Sequence, residues 1–169
     1  PYQEKAILDV EKAIEQNRRE ILVAMATGTG KTRMALGLIY RLIKLKRFKR
    51  VLFLVDREAL GKQAEDVFSD TRVESFQTLT EIFDLKTLKN KIPDDTTKVH
   101  IATVQGMIQR LFYQEESVPT VDQYDCIIVD EAHRGYSLDR EMSDFELENR
   151  DHQDYISKYR KVIEYFDAV

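Results

Sequence analysis

The sequence predicts an α/β domain in which a parallel β-sheet is flanked by helices on both faces. Three observations predict it. Val51–Val55 is a run of five apolar residues, too short for a helix and suited to a buried strand; Cys126–Val129 is a similar short run, and residues 100–104 read as a further strand. Strands without polar alternation are buried on both faces, which a helix-covered parallel sheet provides. Between these runs lie stretches whose apolar residues recur at helical spacing, so strand and helix alternate, with right-handed crossovers expected. In such sheets ligands bind beyond the carboxyl ends of the strands.

The elements follow in order. Residues 2–16 carry Ile7, Leu8, Val10, Ala13 and Ile14 at helical spacing. Ile21-Leu22-Val23 reads as a strand within residues 20–25, and a glycine-rich turn follows it. Met34, Leu38, Ile39, Leu42 and Ile43 then mark a helix. After the Val51–Val55 strand, residues 57–68 read as helical and 72–76 as a further strand. Residues 79–97 fit no single period and end in a polar loop at Pro93-Asp94-Asp95. A short helix is expected over 105–112, a loop over 117–123, and a helix over 151–166, whereas 134–150 show no period. We expect one domain over residues 1–169, cut from a longer chain.

At 169 residues, 43% hydrophobic and 33% charged, the chain is long enough for one well-packed core and too apolar for disorder. No apolar run approaches the ~20 residues that cross a bilayer, and residues 1–5 do not resemble a signal peptide. The single cysteine, Cys126, excludes an internal disulfide and fits a reducing cytoplasm. Its apolar neighbours make it a core residue. A net charge of −4 argues against coating nucleic acid by bulk charge. Residues 41–50 nevertheless hold six Lys or Arg, which read as a solvated helix end or as a patch for DNA phosphates. Residues 139–151 hold six Asp or Glu against two Arg, an acidic excursion from the fold.

Chemistry concentrates in two places. Ala26-Thr27-Gly28-Thr29-Gly30-Lys31-Thr32 lies between an expected strand and an expected helix, the context of a phosphate-binding loop. Gly28 and Gly30 let backbone N–H groups turn around an anion, and the helix beginning near Lys31 aims its positive end at it. Lys31 would bind the β- and γ-phosphates of ATP, and Thr32 would offer its hydroxyl to Mg²⁺. The full loop pattern has a further glycine where this chain has Met25. Asp130-Glu131-Ala132-His133 ends the last apolar strand. Asp130 is placed to hold Mg²⁺ through water, and Glu131 to orient and activate the attacking water. His133 either couples the site to a neighbouring domain or satisfies a local hydrogen bond.

Together, Gly-Thr-Gly-Lys-Thr and Asp-Glu-Ala-His, about a hundred residues apart, resemble motifs I and II of superfamily 2 helicases and translocases. That resemblance implies a RecA-like ATP-binding domain, the first of two motor domains. Gln3 looks like the family's adenine-reading glutamine, and a side-chain amide can pair with adenine's donor and acceptor edge. Residues 51–57 look like motif Ia, and Ala102-Thr103-Val104-Gln105 like a later strand-touching motif. By resemblance Arg57, Thr103 and Gln105 would contact the nucleic-acid backbone. A salt bridge for Arg57 and a helix N-cap for Thr103 are the plain alternatives.

The match narrows further. Residues 130–144 and 154–161, with the Met25-containing loop, resemble the motor subunit of type I restriction enzymes. That family implies ATP-driven translocation of double-stranded DNA, methylation and specificity subunits as partners, and eventual cleavage. It also implies a second RecA-like domain and a nuclease domain elsewhere in the polypeptide. In this fold class a further strand usually lies between the loop's strand and that of Asp130, so a chain stopping at Val169 is expected to lack it. The alternatives are another superfamily 2 helicase, acting on DNA or RNA, and a nucleotide-dependent switch without motor activity.

Overall fold

The computed structural model describes residues 2–26, 28–75, 77–87, 92–113, 118–132 and 152–169. Helix α1 spans Tyr2–Glu15 and α2 spans Lys31–Lys44. Strand β1 (Val51–Val55) leads into α3 (Glu58–Asp70). A small antiparallel ribbon, β2 (Arg72–Glu74) with β3 (Gln77–Thr78), precedes the short α4 (Leu79–Ile82). Strands β4 (Leu85–Lys86) and β5 (Val99–Thr103) come next, then α5 (Val104–Phe112), β6 (Cys126–Val129) and α6 (His152–Tyr165).

The main sheet runs β4-β5-β1-β6, and all its pairings are parallel. Every residue of β1 is buried, as expected of a strand covered on both faces. Alternation then splits the core in two. Val51, Phe53 and Val55, with Val99 and Ile101, pack with α1, α2 and α3 residues including Ile14, Leu36, Ile39 and Phe68. Leu52 and Leu54, with Ala102, pack against Met107 and Ile108 of α5 and Tyr159 and Val162 of α6. The result is the predicted helix–sheet–helix sandwich.

Polar groups fasten the amino edge of the sheet. The Asp125 carboxylate accepts from the Lys49 and Arg50 amides at 2.6 and 2.9 Å. The Arg50 guanidinium donates to the carbonyls of Thr97, Gln123 and Asp94 at 2.9, 3.2 and 2.6 Å, joining the lead-ins of β1, β5 and β6. Other members of the basic cluster are similarly engaged. Arg41 grips Glu11 through two bonds of 2.6 and 2.8 Å, Lys44 pairs with Glu74, and Arg47 donates to the Ile14 carbonyl. Four of its six side chains therefore serve the fold. Cys126 is buried, and burial pushes its thiol up to about 12. His100 is also a core residue, its Nδ1 2.5 Å from the buried Tyr124 hydroxyl.

One expected strand is corrected. Residues 20–26 form no strand and join no ladder among the described residues. Ile21 and Val23 still pack on the core, while Leu22 is 87% exposed. A strand needs a paired neighbour. The free edge of β6 takes its bonds instead from Val169, whose carbonyl accepts from Ile127 N at 2.8 Å and whose amide donates to Asp125 O at 3.1 Å. Arg19 reaches Asp167 and the Ala168 carbonyl, at 2.5 and 3.1 Å. The strand expected over 72–76 is confined to β2, and β4 was not expected, since two residues carry no period. Residues 134–150, including most of the acidic stretch, lie outside the described residues.

Phe53 is fully buried and meets Phe68 edge-on, with ring centroids 5.4 Å apart. Phe53→Ala should therefore cost about 3–5 kcal/mol in urea unfolding; a loss below about 1 kcal/mol would show that the two rings do not share one packed core.

Candidate functional site at the carboxyl edge of the sheet

Because the sheet is parallel, β1, β5 and β6 all release their chains at one edge. The glycine loop reaches the same edge. Thr29 closes a turn on the Ala26 carbonyl, through its hydroxyl at 2.6 Å and its amide at 3.4 Å. Gly28 and Gly30 have φ of 77° and 82°, a region that side chains disfavour. Gly30 is constrained twice, since a Cβ there would stand 2.5 Å from Gln3 Nε2. Gly30 is also the N-cap of α2, and no side chain caps this helix. The first helical bond runs from Met34 N to the Gly30 carbonyl at 2.9 Å, leaving the amides ahead of Met34 available to an anion. Lys31 and Thr32 occupy that first turn.

The acid pair faces this turn. Asp130 N donates to the Leu54 carbonyl at 2.9 Å, so its backbone extends the β1–β6 ladder by one residue. The chain then bends sharply at Glu131, whose φ is 52°. This left-handed conformation is uncommon for a residue with a side chain and costs on the order of 1 kcal/mol. The bend brings Glu131 Oε1 to 2.6 Å from Lys31 Nζ, across 100 residues of sequence, with both side chains about a quarter exposed. Asp130 Oδ1 accepts from the Glu131 amide at 2.9 Å. Burial raises the Asp130 carboxyl above its ordinary range, and the Glu131 charge adds to this; the Glu131 amide and the Lys31 ammonium oppose it.

The remaining expected residues divide. Gln3 lies on the loop, donating from Nε2 to the Thr29 carbonyl at 2.8 Å and reaching the Gly30 carbonyl at 3.5 Å. Arg57 and Thr103 follow β1 and β5, and Gln105 is exposed in the first turn of α5, all near the carboxyl edge. Thr103 Oγ1 accepts from Gly106 N at 3.0 Å, which makes it the N-cap of α5. Arg57 is half-exposed, with Nε 3.5 Å from Asp56. Thr27 and His133 lie outside the described residues. Sequence reasoning missed Tyr2, whose hydroxyl donates to the Thr29 carbonyl at 2.9 Å. Its position beside Gln3 at the start of α1 was the available signal.

Among the described residues no group of three His, Cys, Asp or Glu side chains is arranged to hold a metal ion. One carboxylate and one hydroxyl suit Mg²⁺, which keeps several waters and takes further oxygens from phosphates. At this edge Asp130 offers a carboxylate and Thr32, in the first turn of α2, a hydroxyl.

A glycine loop feeding an uncapped helix, faced across a parallel sheet edge by an acid pair, defines a nucleotide-using, helicase-like domain. Over residues 1–169 the chain matches the family described as "Type III restriction enzyme, res subunit", and it belongs to that family. It is 54% identical over 168 residues to the Type I restriction enzyme EcoKI endonuclease subunit of Escherichia coli strain K12, covering 99% of this chain and 14% of the relative. Against the EcoAI endonuclease subunit of Escherichia coli it is 33% identical over 172 residues, covering 99% of this chain and 18% of the relative. The fold is also similar to a nuclease-deletion mutant of the Type ISP restriction-modification enzyme LlaGI, solved in complex with a DNA substrate mimic. There the TM-score is 0.52 and the identity 26%, over 79% of this chain and 15% of that one. The chain thus spans less than a fifth of the length of the EcoKI and EcoAI subunits. The resemblance to the motor subunit of type I restriction enzymes holds. No helix among the described residues is long and apolar enough to cross a membrane.

The raised Asp130 carboxyl has a consequence for stability. In the folded chain Asp130 keeps its proton to higher pH than in the unfolded chain, so its contribution to stability falls as pH rises through that interval. Asp130→Asn, which cannot ionise, should melt at a higher temperature than the parent at pH 7 in EDTA. The gain should shrink as pH falls to about 4, where the unfolded carboxyl also protonates. A variant less stable at pH 7, or a gain that grows in acid, would contradict this.

Proposed function

We propose that this domain binds and hydrolyses ATP with Mg²⁺, as the first of two RecA-like domains in the motor subunit of a type I restriction enzyme. Residues 1–169 are that domain within a longer polypeptide. The observation that carries the reading is the 2.6 Å approach of Lys31 to Glu131, which unites the two motifs in one site.

In this reading each motif residue takes one role. The amides of Gly28, Gly30, Lys31 and Thr32 cradle the phosphates, and Lys31 offers its ammonium to the β- and γ-oxygens. Phosphate oxygens compete with Glu131 for this ammonium, so binding the triphosphate frees the Glu131 carboxylate to orient a water and accept its proton. Thr32 and Asp130 would hold a magnesium ion, which would offset charge on the phosphates. Gln3 lies close enough to the loop to report the adenine base, and Ala26, Thr27 and Thr29 complete the loop. His133 couples the site to the second domain.

Double-stranded DNA is the proposed track, gripped by its backbone through Arg57, Thr103 and Gln105. That the LlaGI structure holds a DNA substrate mimic supports this assignment. Methylation and specificity subunits complete the proposed assembly, in the cytoplasm. Another superfamily 2 helicase would share the ATP site and differ in its track. A binding-only switch would need no carboxylate to activate a water.

In the intact protein, Glu131→Gln should lower kcat for ATP by about 10²- to 10⁴-fold, the range of a lost general base. Its affinity for ADP should be equal or tighter, because the competitor for Lys31 loses its charge. Unchanged hydrolysis would leave the switch reading standing. Lys31→Ala should weaken ATP binding, and an unaltered dissociation constant would remove nucleotide from this loop.

A further inference from the structure

The Thr29 carbonyl oxygen receives two side-chain donors, the Tyr2 hydroxyl at 2.9 Å and Gln3 Nε2 at 2.8 Å. Both donors sit at the first two positions of α1, 26 and 27 residues before their acceptor. The peptide joining Thr29 to Gly30 is trans, as no described peptide bond is cis. In a planar trans peptide the N–H points opposite to the C=O. A carbonyl drawn toward α1 therefore turns the Gly30 N–H away from α1. Gly30 is the N-cap residue of α2, so this N–H lies at the mouth of the anion-binding helix end.

We infer that Tyr2 is a positioning residue for nucleotide binding: its hydroxyl, together with Gln3, sets the Thr29–Gly30 peptide so that the Gly30 N–H faces the bound phosphates. The inference rests on the proposed ATP site and deepens it.

Three features support a role separate from base recognition. The Tyr2 bond ends on loop backbone, at the phosphate end of the site. Gly30 packs so tightly under Gln3 that a Cβ would come within 2.5 Å of the amide, so the contact between α1 and the loop depends on glycine at this position. Gln3, proposed to read adenine, has a divided duty, since its amide serves both base and loop. Tyr2 holds the same carbonyl whatever base is present. Its effect should therefore be the same for ATP and for inorganic tripolyphosphate, which has no base.

The test uses the intact protein and Tyr2→Phe, which keeps the ring and removes the hydroxyl. KM for ATP should rise about three- to tenfold, the size of one lost hydrogen bond, and the inhibition constant for tripolyphosphate should rise by the same factor. kcat should move less than twofold, and the melting temperature should not fall. Tyr2→Ala should add little beyond Tyr2→Phe. If Tyr2→Phe matches the parent and only Tyr2→Ala weakens ATP, sparing tripolyphosphate, the ring stacks on the base and the inference is overturned. Lys31→Ala separates the two levels. If Lys31→Ala weakens ATP binding while Tyr2→Phe does not, only the role of Tyr2 falls; if Lys31→Ala binds ATP like the parent, the ATP site itself falls.

Discussion

The ion pair between Lys31 and Glu131 exists because two chain segments 100 residues apart emerge at one edge of a parallel sheet. Parallel pairing of β6 with β1 sends Asp130 out beside the end of β1. Packing of α2 on the sheet, through Leu36 and Ile39 among others, places its first turn opposite. Register matters equally. Leu54 pairs with Val129, and the Leu54 carbonyl accepts from Asp130 N, so the acid pair begins where the ladder ends. A shift of one residue would turn Asp130 to the other face of the sheet. The left-handed bend at Glu131 then supplies the final change of direction.

The two edges of the sheet divide the labour. The amino edge is closed by Asp125 and Arg50, whose bonds end on backbone groups of neighbouring lead-ins. These contacts hold strand order and register. The carboxyl edge keeps its polar groups for exchange. Lys31 is satisfied by a carboxylate that a phosphate can replace, and the α2 amides carry no side-chain cap. A cap there would stabilise the helix by about 1 kcal/mol and obstruct the anion. The absence of one from an otherwise well-packed helix fits a site kept for a ligand.

Much of this was legible in the sequence because it depends on local pattern. Val51–Val55 and the α2 periodicity give the sheet and its covering helix, while glycines at 28 and 30 give the loop. What was hidden depends on partners distant in sequence. Ile21-Leu22-Val23 has the composition of a strand, but composition cannot provide a hydrogen-bonded neighbour, and Val169 occupies the β6 edge. Basic residues 41–50 read as a solvated helix end or a phosphate patch until Glu11, Glu74 and the carbonyls that engage four of their side chains are brought near. Tyr2 carries no motif, and its contact with Thr29 appears only once α1 lies against the loop.

The most direct measurement is a structure of the intact protein with Mg²⁺ and a non-hydrolysable ATP analogue. The Lys31 ammonium should leave Glu131 for oxygens of the β- and γ-phosphates. Thr32 and Asp130 should then flank the metal ion, with Glu131 beside a water in line with the terminal phosphate. An analogue bound elsewhere, with the Lys31–Glu131 pair intact, would show that this sheet edge is not the nucleotide site.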